Sequence, residues 1–200
     1  MRPVGAALVA LVRLLVGAHS RWVGTPPVCA QCIFFANHTS HIDTLAIWAA
    51  LSAPLRARSR PVAARDYWDR DPVRRYLAVQ VLHALLIERH RDARQSDPLL
   101  VMSEALENGQ SLILFPEGTR GAGPLPAAFR GGLYHLAMRF PEVLLVPVYL
   151  ENLHRALPKG TWIPIPLICT VRFGMPRERL PAEQKESFLE RARAAVVALA

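Results

Sequence analysis

FFANHTSHID, residues 34–43, is a stretch in which an apolar run gives way to polar residues and then to a helical pattern. Such a run, ending at Asn37-His38, predicts a buried strand. Asp43 follows His38 by five residues, with His41 between them. Because α/β folds carry their functional side chains on the loops that follow strands, this stretch predicts both a fold class and a site.

Short apolar runs and longer helix-period segments alternate along the whole chain. Strands are predicted at 28–36, 61–64, 84–88, 111–115, 143–149 and 167–173. Helices are predicted at 4–18, 41–53, 70–82, 95–107, 129–139 and 183–199. The pattern predicts a single α/β domain with a mixed, mostly parallel sheet flanked by helices, over residues 21–200, preceded by an N-terminal apolar helix within residues 1–20.

Composition narrows the class of partner. The 200 residues are 52% hydrophobic and carry a net charge of +8, and Lys159 and Lys185 are the only lysines among 24 basic residues. A basic and apolar chain favours anionic partners such as lipid headgroups, phosphorylated substrates or an acidic carrier protein. No nucleic-acid reader motif is present, so we expect no nucleic-acid partner.

The three cysteines indicate a reducing compartment rather than a disulfide framework. Cys29 and Cys32 form a C-x-x-C pair, but a zinc site needs a second pair, and only Cys169 remains. The pair lies in an apolar strand-like stretch, which favours packing over metal binding.

The N-terminal segment MRPVGAALVALVRLLVGA offers two interpretations. Residues 3–18 fall short of the roughly 20 apolar residues that span a bilayer, and Arg13 interrupts them. The segment is either an interfacial helix laid into one leaflet or an ordinary buried helix. Residues 56–75 hold seven arginines, which form either a membrane-facing or carrier-facing patch or a solvated face with ion pairs.

The His38 and Asp43 pattern has three possible interpretations. The carboxylate on the first helical turn can turn back to the imidazole, fix its tautomer and stabilise the imidazolium. Alternatively, Ser40 is a helix N-cap and Asp43 belongs to a capping box. A metal site would recruit His41, but H-x-x-H-x-D lacks common metal-ligand spacing, and His41 is expected on the helix surface.

LILFPEGTRG, residues 112–121, is the second chemical motif. A strand leads into a turn in which Gly118 allows a sharp bend, and Arg120 offers a fork of donors for a phosphate. Glu117 is expected either to bind a polyol hydroxyl or to fix Arg120. By itself this turn is also compatible with a plain surface loop.

Together these motifs resemble those of the glycerolipid acyltransferase family, the lysophosphatidic acid acyltransferase group in particular. The family's N-H-x-x-x-x-D block corresponds to Asn37, His38 and Asp43, its F-P-E-G-T-R block to residues 115–120, and its V-P-V strand to residues 146–148. The second block is only partly present in HALLIER, residues 83–89, where Arg89 keeps the basic end.

The resemblance implies a glycerol-phosphate acyltransferase-like fold and a catalytic role for His38 as general base, oriented by Asp43. The substrate-binding residues that it implies are Arg89, Glu117, Gly118, Thr119, Arg120, Arg130 and Pro147. The arginines at 89 and 120 would hold the acceptor's phosphate, Glu117 to Thr119 would shape the glycerol site, and Pro147 would help to shape the acyl pocket. Backbone N–H groups near the helix start would stabilise the oxyanion.

The implied reaction moves a fatty acyl group from acyl-CoA or acyl-carrier protein to a lysophospholipid hydroxyl. The expected acceptor is 1-acylglycerol-3-phosphate, giving phosphatidic acid, with no acyl-enzyme, no metal and no cofactor beyond the thioester co-substrate. The altered second block leaves another lyso-lipid acceptor open, such as lyso-ornithine lipid. A non-catalytic peripheral membrane lipid-binding module is a separate alternative, which the intact His38/Asp43 pair and E-G-T-R turn disfavour. A lipid hydrolase is disfavoured because no G-x-S-x-G nucleophile is present. We expect the chain at the cytoplasmic face of a membrane, as a peripheral or monotopic protein next to an anionic surface.

Overall fold

The fold is that of a computed structural model, which describes residues 3–17, 19–24, 30–88, 97–121, 123–156, 169–180 and 182–200. The strands within these ranges are β1 (His19–Trp22), β2 (Cys32–Ala36), β3 (Ser59–Ala64), β4 (Leu85–Ile87), β5 (Ser111–Leu114), β6 (Leu144–Glu151) and β7 (Thr170–Phe173). The helices are α1 (Pro3–Val16), α2 (Asp43–Ala50), α3 (Ala53–Arg58), α4 (Arg65–Trp68), α5 (Pro72–Tyr76), α6 (Pro98–Glu107), α7 (Gly132–Arg139), α8 (Leu153–Ala156) and α9 (Lys185–Val197), with a π-helical turn at Leu77–Val81 after α5.

The described strands form one seven-stranded sheet in the order β1-β7-β6-β2-β5-β3-β4. All neighbouring pairs are parallel except β6 and β7, which run antiparallel. Parallel neighbours require crossover connections, and the helices that supply them cover both faces of the sheet. The expected α/β fold with a mixed, mostly parallel sheet is therefore confirmed.

Strand β2 occupies the centre of the sheet because it is apolar on both faces. All five of its residues are buried, with Phe34 in one core layer and Ile33 and Phe35 in the other. It pairs with β5 in a register that sets Phe35 beside Leu114. Since both strands run in the same direction, the loops that follow them leave the sheet at the same edge. The loop containing His38 and the turn at residues 115–120 are thereby placed side by side.

Several short elements differ from the sequence expectation. Strand β1 and the helices α3, α4 and α8 were not predicted, because each is four to six residues long and too short to show a periodic pattern. The predicted helix at 70–82 divides into α5 and the π-helical turn. The helix predicted over 41–53 begins only at Asp43 and ends at Ala50.

Helix α1 packs on α2 along one face and leaves other apolar side chains exposed. Val9 and Val12 are buried in the same core layer as α2, whereas Leu14 is 82% exposed. The expected N-terminal apolar helix is present, with one face in the core and apolar side chains exposed on another, and its contact with a membrane stays a prediction. Within the described ranges, no helix has the length and apolar character needed to cross a membrane.

The carboxyl end of α2 is capped by two arginines. Arg56 is buried, and its guanidinium donates to the carbonyl oxygens of Trp48, Ala49 and Leu51 at 2.6–3.2 Å. Arg13 of α1 donates to the Ala49 oxygen at 2.9 Å. These contacts satisfy the unpaired carbonyl groups of the helix end and complement its dipole. Arg56 is therefore not part of the surface patch expected from the arginines at 56–75.

Candidate active site

His38 and Asp43 contact each other directly where the chain passes from β2 into α2. His38 lies on the loop after β2, and Asp43 is the first residue of α2. The His38 Nδ1 atom lies 2.8 Å from Asp43 Oδ2, and the two side chains are 19% and 0% exposed. The five-residue spacing therefore brings a loop imidazole against a first-turn carboxylate, which is the contact predicted from the sequence.

The Asp43 carboxylate also organises the loop that precedes it. Its Oδ2 atom accepts hydrogen bonds from the backbone N–H groups of Thr39 at 2.6 Å and Ser40 at 2.8 Å. Ser40 is not the helix N-cap, because Ile42 occupies that position and makes no side-chain cap. The assignment of Ser40 as N-cap is wrong, whereas one bond of the predicted capping box, from the Ser40 N–H to the Asp43 carboxylate, is present. The same two N–H groups point at a carboxylate and are therefore not arranged to stabilise an oxyanion.

The imidazole of His38 is held on a second side by the turn after β5. Its ring stacks on Phe115 with 4.2 Å between centroids and 20° between planes. The backbone carbonyl of His38 accepts a hydrogen bond from the Gly121 N–H at 2.8 Å. With the Nδ1 proton donated to Asp43, the Nε2 lone pair is left to accept a proton, which is the tautomer that a general base requires.

Glu117 fixes two loops through its buried carboxylate. The carboxylate accepts from the His38 backbone N–H through Oε1 at 2.8 Å and from the Ala127 N–H through Oε2 at 2.9 Å. A contact with Arg120 is not among the described contacts, and the polyol contact stays a prediction. Glu117 positions the histidine loop and lies behind the site.

Gly118 makes the sharp bend that the sequence predicted. Its φ is +75°, and its N–H donates to the Phe115 carbonyl at 3.0 Å. A Cβ atom at this position would lie 2.7 Å from Arg130 Nε. Arg130 itself is tied to the turn, since its Nε donates to the Glu117 carbonyl at 3.1 Å and its N–H to the Pro116 carbonyl at 2.9 Å. Gly118 therefore allows both the bend and the close approach of Arg130.

Arg120 leaves the turn towards His41 and Tyr67. Its Nη1 lies 2.5 Å from His41 Nδ1, and its guanidinium carbon lies 5.7 Å from the centroid of the Tyr67 ring. His41 Nδ1 is also 2.9 Å from the Tyr67 hydroxyl. The prediction that His41 points along the helix surface is wrong, because its ring faces the same cavity as His38.

A cavity of about 650 Å³ opens in front of this edge of the sheet. Its polar lining includes His38, His41, Thr119, Arg120 and Arg130. Much of its apolar lining comes from β3, β5 and the two helices α6 and α7, and includes Val62, Leu99, Met102, Leu114, Leu133 and Leu136. A cavity with one polar part and one apolar part fits an amphipathic molecule, such as a lipid with a charged headgroup.

The family model described as Acyltransferase matches residues 25–151, which is more than half of the chain. The chain belongs to the Acyltransferase family. The resemblance inferred from the sequence blocks is confirmed, and this acyltransferase-family chain carries His38 and Asp43 inside the matched region.

Two similar curated proteins come from plants. They are 1-acyl-sn-glycerol-3-phosphate acyltransferases of Limnanthes alba and Limnanthes douglasii, each 29% identical over 174 residues and 84% of this chain. The chain spans 58% of the length of each. A similar solved structure is that of the 1-acyl-sn-glycerophosphate acyltransferase PlsC from Thermotoga maritima, with a TM-score of 0.73 and 19% identity. This match covers all of the chain and 82% of the PlsC chain, which confirms the expected acyltransferase fold.

The remaining site residues predicted for this acyltransferase-family chain differ in whether they line the cavity. Pro147 is buried within β6, where it pairs with Phe35 of β2, and it does not line the cavity as the acyl-pocket prediction required. Arg89 lies outside the described residues. Thr119, Gly118 and Arg130 all line the cavity, so their assignment to substrate stays a prediction that the geometry allows.

Two further residues support the site without having been assigned a role from the sequence. Asn37 is fully buried, and its side chain bonds both backbone groups of Leu150, accepting at 2.8 Å and donating at 3.3 Å. It therefore fastens the end of β2 to β6 immediately before His38. Tyr67 of the arginine-rich segment 56–75 also lines the cavity and contacts Arg120. It lies three residues after the end of β3, which was the available signal.

Proposed function

We propose that the chain is an O-acyltransferase that moves an acyl group from acyl-CoA or acyl-carrier protein to a lysophospholipid hydroxyl. The proposed acceptor is 1-acylglycerol-3-phosphate, and the product is phosphatidic acid. The observation that carries this proposal is the hydrogen-bonded His38–Asp43 pair at the wall of a cavity that is partly basic and partly apolar. The names of the two curated plant relatives support the same acceptor.

His38 would act as the general base in this reaction. Its Nε2 takes the proton of the acceptor hydroxyl while the oxygen attacks the thioester carbonyl, and Asp43 stabilises the imidazolium that forms. The tetrahedral intermediate collapses by breaking the carbon–sulfur bond, and the thiolate leaves with the proton from His38. The acceptor oxygen is itself the nucleophile, so no acyl-enzyme and no cofactor beyond the co-substrate enter the scheme.

The acceptor's phosphate would bind at Arg120 and Arg130, because a guanidinium can bond two phosphate oxygens at once. The described contacts of Arg120 are His41 and Tyr67, and no carboxylate is among them. An unpaired cation in a cavity is stabilised by an anionic ligand. Arg130 approaches the same wall from the other side of the turn.

The acyl chain would occupy the apolar part of the cavity. Met102, Leu133 and Leu136 are 7%, 1% and 1% exposed and face this space from α6 and α7. Burying a methylene group is favourable by about 0.8 kcal/mol, so an apolar cavity of this kind binds long chains strongly. In this proposal the acyl pocket is formed by residues of α6 and α7 and not by Pro147.

Helix α1 would hold the chain at the cytoplasmic face of a membrane, as a peripheral or monotopic protein. Its side chains Val4, Leu11, Leu14 and Leu15 are 42%, 49%, 82% and 45% exposed. An amphipathic helix with such a face lies in the interfacial plane of a bilayer, and anionic headgroups would attract the net charge of +8. This arrangement would give the active site access to lipid acceptors.

Thiol release from acyl-CoA tests the proposal. The assay is run with purified protein and with lysophosphatidic acid, lyso-ornithine lipid or no acceptor, and His38→Ala is compared with His19→Ala. His19 lies on the exposed edge strand β1 and is the matched histidine control. We expect release only with acceptor, lost in His38→Ala and kept in His19→Ala. Burial raises the pKa of Cys32 and Cys169 to about 11, so these two thiols should react slowly with the detection reagent.

Other outcomes of the same assay would contradict defined parts of the proposal. Release without acceptor would indicate a thioesterase, and near-normal release by His38→Ala would exclude His38 as the base. Thiol release with lyso-ornithine lipid but not with lysophosphatidic acid would show that the acceptor is a lyso-ornithine lipid. Arg120→Ala should raise the KM about 10-fold or more for a phosphate-bearing acceptor and much less for monoacylglycerol.

A further inference from the structure

His41 and Tyr67 form a cluster with Arg120, and the proposed acyl transfer gives a role to Arg120 but none to His41 or Tyr67. The three side chains come from three separate segments, namely the loop before α2, helix α4 and the turn after β5. His41 Nδ1 lies 2.9 Å from the Tyr67 hydroxyl and 2.5 Å from Arg120 Nη1. All three side chains line the cavity.

The contact with Arg120 defines the protonation of His41 in this structure. A guanidinium carries only donors, so Nδ1 of His41 must be the acceptor and carries no proton. The neutral imidazole thereby holds the guanidinium over the face of Tyr67, whose ring is itself tilted against His41 with 5.4 Å between centroids. Arg120 is positioned for a ligand before any ligand arrives.

Burial and the surrounding charges favour the neutral form of His41. Burial lowers the pKa of His41, and the nearby charges of Arg120, Arg74 and His38 lower it further, whereas Asp43 alone raises it. Arg74 of α5 also lies over the Tyr67 ring, with its guanidinium carbon 4.9 Å from the ring centroid and its Nε 3.1 Å from an oxygen of Asp71. Two arginines therefore contact one tyrosine, next to a histidine whose charged form they disfavour.

We propose that His41 is a further ligand of the acceptor's phosphate, beside Arg120 and Arg130, and that it takes up one proton from solvent as the dianion binds. This inference rests on the proposed function, since it assumes a phosphate-bearing acceptor in this cavity. Arg120 turns its donors from Nδ1 to the phosphate oxygens, Nδ1 is protonated, and the new N–H donates to the phosphate. The one bond that forms is the Nδ1–H bond, and its proton comes from the solvent or from the buffer acid, which loses it.

The charge of the ligand supplies the reason for the proton uptake. A phosphate dianion offsets the arginine charges that disfavour the imidazolium, and an opposite charge at hydrogen-bond distance favours it. The same contacts favour the dianionic form of the phosphate, so a phosphate that still carries a proton would release it on binding. Net uptake of a proton therefore cannot come from the phosphate. A neutral headgroup gives neither effect, so His41 would discriminate between phosphate-bearing and phosphate-free acceptors.

Calorimetric titration in two buffers of different ionisation enthalpy measures this uptake directly. The protein is the His38→Ala variant, which removes both turnover and the titration of the base. The ligand is a short-chain lysophosphatidic acid below its micelle concentration, at a pH of about 7.5, where a phosphate monoester is mainly dianionic. His41→Gln is added to this background, and His135→Gln serves as the control because His135 also lines the cavity.

We expect uptake of up to about one proton per complex in the His38→Ala protein and its loss in the His41→Gln variant. His41→Gln should also weaken binding about 10-fold or more, as expected for the loss of one hydrogen bond between charged groups. The His135→Gln variant should keep both the uptake and the affinity. Short-chain monoacylglycerol should bind without uptake, and with the same affinity in the His41→Gln variant.

The opposite results overturn the inference and can be told apart from failure of the proposed function. Lysophosphatidic acid that binds the His38→Ala protein without proton uptake would exclude protonation of His41 and leave the acyl transfer intact. This result needs no variant at position 41, so a His41→Gln protein that fails to fold does not weaken the test. If inorganic phosphate binds with the same affinity and the same proton uptake as lysophosphatidic acid, the site is not specific for the lipid headgroup. No binding of lysophosphatidic acid would overturn the inference, whereas the thiol-release assay would report on the function separately.

Discussion

Replacement of Asp43 by asparagine removes one charge from the site and keeps the oxygen that accepts its hydrogen bonds. The carboxylate is fully buried, and its Oδ2 atom accepts from His38, Thr39 and Ser40 at 2.8, 2.6 and 2.8 Å. An asparagine oxygen in the same place can accept the same bonds. The variant therefore isolates the electrostatic effect of the carboxylate on the imidazolium that forms during transfer.

The size of this effect follows from the distance between the two charges. For centres about 4 Å apart at an effective dielectric constant of about 20, the attraction is about 4 kcal/mol. Loss of that stabilisation from the transition state corresponds to a fall of about 10³-fold in kcat. The KM should change little, because the acceptor hydroxyl is neutral when it binds.

The variant should also be less stable. The other carboxylate oxygen of Asp43 has no hydrogen-bond partner among the described residues, and an asparagine NH₂ group placed there would be buried with its donors unsatisfied. We expect a cost of about 1–3 kcal/mol, which lowers the Tm by roughly 2–4 °C per kcal/mol for a chain of this size.

Thiol-release kinetics and thermal unfolding of the same preparations check both numbers. Glu107→Gln is the matched carboxylate-to-amide control, since Glu107 is 53% exposed and pairs with Arg139 on the surface. It should leave kcat unchanged. A kcat for Asp43→Asn within about 10-fold of the parent protein would refute the electrostatic role. So would a loss of rate that is fully explained by the unfolded fraction at the assay temperature.

Three further predictions follow from the geometry of the turn, the cavity and α1. Gly118→Ala should lower stability by about 1–2 kcal/mol and reduce kcat/KM, because a Cβ there combines a φ of +75° with an approach of 2.7 Å to a guanidinium nitrogen. Met102→Trp should shift the acyl preference to shorter chains in competition between thioesters, because it fills the apolar part of the cavity. Leu14→Asp should weaken sedimentation with anionic vesicles without changing transfer to a soluble short-chain acceptor, because this side chain is 82% exposed.

Matched variants separate these effects from general damage. Gly109→Ala has a similar φ of +71° but nothing within 4 Å of the added Cβ, so it should cost stability and not activity. Met138→Trp lies on the exposed side of α7 and should leave the chain-length preference unchanged. Leu100→Asp adds the same charge at a side chain that is 59% exposed on α6, and equal loss of vesicle binding there would contradict a specific role for α1.

The sequence by itself determined the elements that depend on local patterns. Short apolar runs alternating with helical segments were sufficient for the α/β class, since a strand buried on both faces has to be apolar throughout, as β2 is. The spacing of His38 and Asp43 was sufficient for their contact, because only five residues and one helix start separate them. The bend at Gly118 was predictable for the same local reason.

Only the tertiary structure decided which partners meet across long sequence separations. Glu117 bonds the His38 backbone 79 residues away, and Arg120 contacts His41 across the same separation, because β2 and β5 are parallel neighbours and their following loops share one edge. Pro147 is distant from the cavity because β6 lies on the other side of β2. Strand order is fixed by packing of the whole sheet, so the division between residues that support the site and residues that face a ligand could not be read from local sequence.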